Sequence, residues 1–163
     1  MKTVFKDGGG TEKIFLLRCE KILTFHTKIL AVKTPKICIV APSDMLTPTT
    51  QSAVGLTGEI AINRDFIELF LQNPLQLDMV LAHEIRHVYQ IEKNKDFLQQ
   101  YSDNHENLTD YNSQEAEIDA WAYSFAYMGV YYRLEPQIDV LSEEVKNQIK
   151  GRAKELATLF MEK

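Results

Sequence analysis

Pro74-Leu75-Gln76-Leu77-Asp78-Met79-Val80-Leu81-Ala82-His83-Glu84-Ile85-Arg86-His87-Val88-Tyr89-Gln90-Ile91 is the stretch on which the reading of this 163-residue chain turns. Asn73 precedes a proline, a residue tolerated at the first helical position because the N–H it lacks would have no partner there. Leu77, Val80, Leu81 and Ile85 recur at helical spacing, which predicts a helix from about Pro74 to Ile91. Helical residues four apart lie one above the other, so His83 and His87 present two imidazoles on one face. Imidazoles so placed can grip one tetrahedral metal ion, with Glu84 left beside its open position. Chance alone would give His-Glu-x-x-His in roughly one shuffled chain in a hundred of this composition, so the context must separate a metal site from an ordinary amphipathic surface helix.

That context is a second helix, predicted to start near Ser113 with Asn112 or Ser113 as N-cap and with Glu115 and Glu117 at its positive end. Glu115 and Asp119 are four apart and share a face, whereas Glu117 lies about 200° round from Glu115. Only one of the two glutamates can therefore join Asp119 on that face. Ala122 and Ala126 continue the face with small side chains that allow a close approach to the His-bearing helix. The intervening stretch from Lys93 to about Asn112 is rich in Asn, Asp, Ser and Gln and reads as a connection, with a helical turn around Phe97 to Tyr101.

His83-Glu84-x-x-His87 combined with Glu115-x-x-x-Asp119 resembles the gluzincin metallopeptidases, among them the HtpX-like group, and most of all their short members. The run Ser52 to Ile62 is similar to the hairpin and edge strand that these enzymes carry before the active-site helix. The gap of 28 positions from His87 to Glu115 resembles the ImmA/IrrE regulatory peptidases, whose second motif usually has Asn where this chain has Asp119. Carried over by position, the resemblance implies Zn²⁺ held by His83, His87 and Glu115, with Asp119 as the outer partner of His83. Glu117 stays open as the alternative third ligand. A metzincin pattern is absent, since Gln90 and Lys93 stand where it needs Gly and His.

Three protein ligands would leave the ion a fourth position for water, as in catalytic rather than structural zinc sites. Glu84 would then serve as general base, and the strand around Glu59, Ile60, Ala61 and Ile62 would pair with an extended peptide or protein substrate. The rival reading from a different class is a regulatory or peptide-binding protein that keeps the scaffold and grips a peptide without cutting it. More ordinary roles are expected for several neighbours. Arg86 reads as an ion-pair partner, Gln90 as a helix-surface amide, and His26 and His105 as surface or half-buried histidines. Trp121, Tyr123, Tyr127, Tyr131 and Tyr132 recur along a helix and read as core.

The rest of the chain bounds the class. With 45% apolar content in 163 residues, one domain spanning 1–163 has enough core to fold without staples. A formal charge of −5 with no dense Lys/Arg block argues against nucleic acid as a partner. No apolar run reaches the ~18 residues that would cross a bilayer, and the start of the chain lacks a signal-peptide pattern, so a cytoplasmic protein with Cys19 and Cys38 as free thiols is expected. Helices are predicted over Glu12 to about Phe25, with Ile14, Leu16, Leu17, Ile22 and Leu23 as the apolar side, over Arg64 to Leu71 capped by Asn63, and over about Leu141 to Met161. Strands are predicted at Lys36 to Val40 and Gly58 to Ile62. Mostly helices with a small mixed sheet makes the class α+β.

Overall fold

The computed structural model describes residues 9–55, 57–93 and 111–161. The expected Lys93–Asn112 connection, with its turn around Phe97 to Tyr101, and His105 fall largely outside these residues. The fold is α+β, mostly helical with a small three-stranded mixed sheet. Two compact units emerge, Met1–Val88 and Tyr89–Lys163, although the sequence shows no linker. The division falls inside one continuous helix. Among the described residues, no helix is long and apolar enough to cross a membrane.

In the first unit, α1 (Gly10–Leu30) buries Phe15, Cys19, Leu23, His26, Thr27 and Leu30, and Ala31 ends it in the left-handed conformation at φ 51°. The predicted apolar side is thus displaced: Ile14 and Leu17 are 61% and 58% exposed, and the buried stripe is the one that runs through Phe15, Cys19 and Leu23. Strand β1 (Ile37–Val40) pairs in parallel with β3 (Ile60–Asn63), which pairs antiparallel with β2 (Ser52–Val54) in the register Ser52↔Ile62. The order β1-β3-β2 corrects one expectation: the strand Ile60-Ala61-Ile62 is central, with its main chain already paired on both sides. All four β3 residues are buried, as expected of a strand covered on both faces. Glu59, expected to act with that strand, lies just before it, following Gly58 at φ 85°, and accepts a hydrogen bond from Thr57 Oγ1. That hydroxyl, then the residue's own backbone, holds the Glu59 carboxyl below its usual range.

Asn63 caps the next turn as predicted, its Oδ1 accepting from Asp65 N at 3.1 Å, and its amide also ties back to Pro48 O and Thr50 O. A single 3₁₀ turn (Arg64–Phe66) leads into α2 (Ile67–Gln72), whose Phe70 stacks on Phe15 of α1. Helix α3 (Pro74–Lys93) then begins at the proline, as its sequence predicts.

In the second unit, α4 (Glu115–Tyr132) starts one residue after Gln114, which makes no side-chain cap, so neither Asn112 nor Ser113 is its N-cap. Helix α5 (Glu143–Leu156) is capped by Ser142 Oγ, and the predicted single last helix is broken at Ala157, after which α6 (Thr158–Met161) follows. Tyr123, Tyr127 and Tyr131 of α4 gather around Phe160 with ring centroids 5.1 to 6.0 Å apart; Tyr123 and Tyr127 are core, as expected, whereas Tyr131 and Tyr132, at 45% and 37% exposed, lie at the surface end of the cluster and correct that expectation.

Candidate metal centre

Helix α3 delivers its histidines as the spacing requires. The Nε2 atoms of His83 and His87 lie 3.1 Å apart, with ring centroids at 4.8 Å and planes at 79°. For bonds of about 2.0 to 2.1 Å in a tetrahedron, two zinc-bound nitrogens should be about 3.3 Å apart. The observed pair is within a few tenths of an ångström of that edge.

The carboxylate that joins them is Glu117. One ligand atom from each of His83, His87 and Glu117 lies within 4.8 Å of the others, the one such group among the described residues. Glu117 is 2% exposed, whereas Glu115 is exposed to solvent. Family spacing points to Glu115, whereas the acid with an oxygen within reach of the two histidines is Glu117, the alternative left open, about 200° round α4 from Glu115.

Gln90 joins α3 to α4. It lies one turn beyond His87 and two beyond His83 on the same helix face, and its Nε2 donates to Ala116 O and to Asp119 Oδ2, both at 3.0 Å. These bonds tie the last turns of α3 to the first turn of α4 within the second unit. The expected surface amide is fully buried. Its signal was present in the sequence, since 83, 87 and 90 share a face.

Asp119 is 2% exposed, with Oδ2 taken by Gln90 and Oδ1 by Arg152 Nε at 3.2 Å. Asp119 thus bonds Gln90 at the end of α3 and pairs with Arg152 of α5, an ion pair without a signal in the sequence. Arg152 also donates to Glu155 at 2.6 Å.

Glu84 is 6% exposed, and its Oε1 accepts a 2.6 Å hydrogen bond from Ser52 Oγ on β2. Gln76 near the start of α3 donates to Gln51 Oε1, so the end of β2 meets α3 at two points. Neither Ser52 nor Gln51 has a sequence signal. Arg86, read as an ion-pair partner, is buried at 4%.

The donor set fits a divalent ion. Two neutral imidazoles and one carboxylate supply the nitrogen and oxygen ligands that Zn²⁺ accepts, with a single negative charge. No protein-family model, curated protein or solved structure matches the chain.

Proposed function

We propose that this protein is a zinc-dependent peptidase of the gluzincin type, with His83, His87 and Glu117 as metal ligands and Glu84 as general base. The observation that carries the reading is the approach of a buried carboxylate from α4 to two imidazoles already 3.1 Å apart on α3. When bound, the ion would lower the pKa of a water to about 7 and polarise the substrate carbonyl.

The chain's own residues supply the remainder. His83 and His87 present neutral Nε2 lone pairs, and Glu117 contributes the anionic oxygen. Glu84 takes a proton from the attacking water as the new C–O bond forms, and passes it to the leaving nitrogen as the C–N bond breaks, giving a carboxylate and an amine. Gln90 and Asp119 tie the last turns of α3 to the start of α4. Strand β2, at the edge of the sheet and bonded to Glu84 through Ser52, is the segment to which an extended peptide would add by main-chain hydrogen bonds. Two free, buried thiols accord with a reducing, cytoplasmic setting.

Zinc content and digestion of a proteome-derived peptide mixture test the reading together. The wild type should bind one zinc per chain and cut a reproducible subset of peptides. Glu84→Gln should keep the zinc and lose hydrolysis by about 100-fold or more. A Glu84→Gln protein that cuts at the normal rate would overturn the assigned mechanism. A wild type that binds zinc and cuts nothing would favour the peptide-gripping alternative.

A further inference from the structure

Resting on the hydrolase reading above, we infer that Ser52 is a positioning residue that fixes the Glu84 carboxylate and couples it to the strand on which a peptide substrate would dock. An ionised carboxylate can only accept, so the hydroxyl of Ser52 is the donor in the 2.6 Å contact. That length lies in the range of charge-assisted O–H···O⁻ bonds. It engages Oε1 alone. Among the described residues Oε2 receives no hydrogen bond, so one oxygen is anchored and the other is left to take a proton.

Ser52 is itself held firmly. Its main chain is in register with Ile62 on the fully buried β3, and Asn63 N donates to Gln51 O at 2.9 Å immediately before it. The Gln76–Gln51 bond ties the same end of the strand to α3 a second time. Glutamate is among the side chains with most rotamer freedom to lose, so a rigid donor at one oxygen pre-sets the direction of the other. Ser52 keeps its proton throughout. Because it is also a residue of the edge strand, peptide pairing along β2 acts on the backbone that carries the donor.

The test compares Ser52→Ala, Ser52→Thr and Glu84→Gln in the zinc-loaded protein, using a peptide that the wild type cuts. Ser52→Ala should lower kcat about tenfold, leave KM within about twofold, and leave the zinc content unchanged. Ser52→Thr, which restores a hydroxyl, should recover kcat to within about threefold. A kcat for Ser52→Ala within twofold of wild type, while Glu84→Gln is inactive, would overturn the positioning role and leave the peptidase reading standing. Full loss in Ser52→Ala together with covalent labelling of Ser52 by a fluorophosphonate would overturn it differently, by making Ser52 a nucleophile. A readout independent of turnover is the side-chain carboxyl ¹³C resonance of Glu84, assigned by its absence in Glu84→Gln. Ser52→Ala should move it, and an unmoved resonance would refute the bond even if no peptide is cut.

Discussion

Two helices of this chain bury histidine, and they surround it with different chemistry. On α1, His26 is fully buried within an apolar stripe that includes Cys19, Leu23 and Leu30, with Phe25 edge-on at 5.1 Å. Burial lowers its pKa to about 3, so the ring is neutral at ordinary pH. On α3, His83 and His87 turn their Nε2 atoms toward each other, and a buried carboxylate approaches both. Burial alone thus says little about function. Convergence of a second and third donor is what distinguishes a candidate metal site from a desolvated core imidazole.

Acid should separate the two regions most strongly. Since His26 is depressed from 6.5 to about 3, the unfolded chain takes up a proton below about pH 6.5 while the folded one does not, and stability falls as pH drops through that window. The full shift corresponds to roughly 4 to 5 kcal/mol as an upper figure. Denaturant titrations from pH 7 to 4 should therefore show a shallower loss for His26→Leu than for wild type, and parallel curves would dissolve the contrast. Metal analysis sharpens it from the other side: His83→Ala, His87→Ala or Glu117→Ala should each weaken zinc binding by about 100-fold or more, worth ~2.7 kcal/mol, while His26→Leu leaves it unaltered.

The brace behind the α3 site gives a smaller effect. Asp119→Ala leaves the buried Gln90 amide without one acceptor and should cost about 2 kcal/mol in urea unfolding. Arg152→Ala, whose side chain is 40% exposed, should cost under about 1 kcal/mol. Smallest of all should be Glu115→Ala, with zinc affinity within about twofold of wild type. A large loss there would return the third ligand to Glu115.

What the sequence disclosed follows from how strongly each segment is patterned. Helix α3 was legible because Pro74, the apolar repeat and the four-residue histidine spacing all point one way. The choice between Glu115 and Glu117 was not, because α4 buries Ala116, Glu117, Asp119, Ala120 and every residue from Ala122 to Met128, leaving no polar stripe from which to read its register. Strand β3 was mistaken for an edge although Ile60-Ala61-Ile62 is an unbroken apolar run, the mark of a strand covered on both faces. His26 could have been placed, since it falls on the Cys19–Leu23 stripe, but Ile14 and Leu17 drew the apolar face to the wrong side. The bonds from Ser52, Gln90 and Arg152 join residues 26 to 33 positions apart and leave no periodic trace.

The sulfur chemistry of the first unit bears on how zinc would be counted. Cys19 is fully buried, and desolvation pushes its thiol up to about 12, while Cys38 is 8% exposed. Soft cations are captured by thiolate, the form withheld at position 19. Titration of the native protein with a chromogenic zinc indicator should accordingly report the imidazole pair without any alkylating pretreatment, and the same shielding should let the protein be stored in air without mixed disulfides forming at either sulfur.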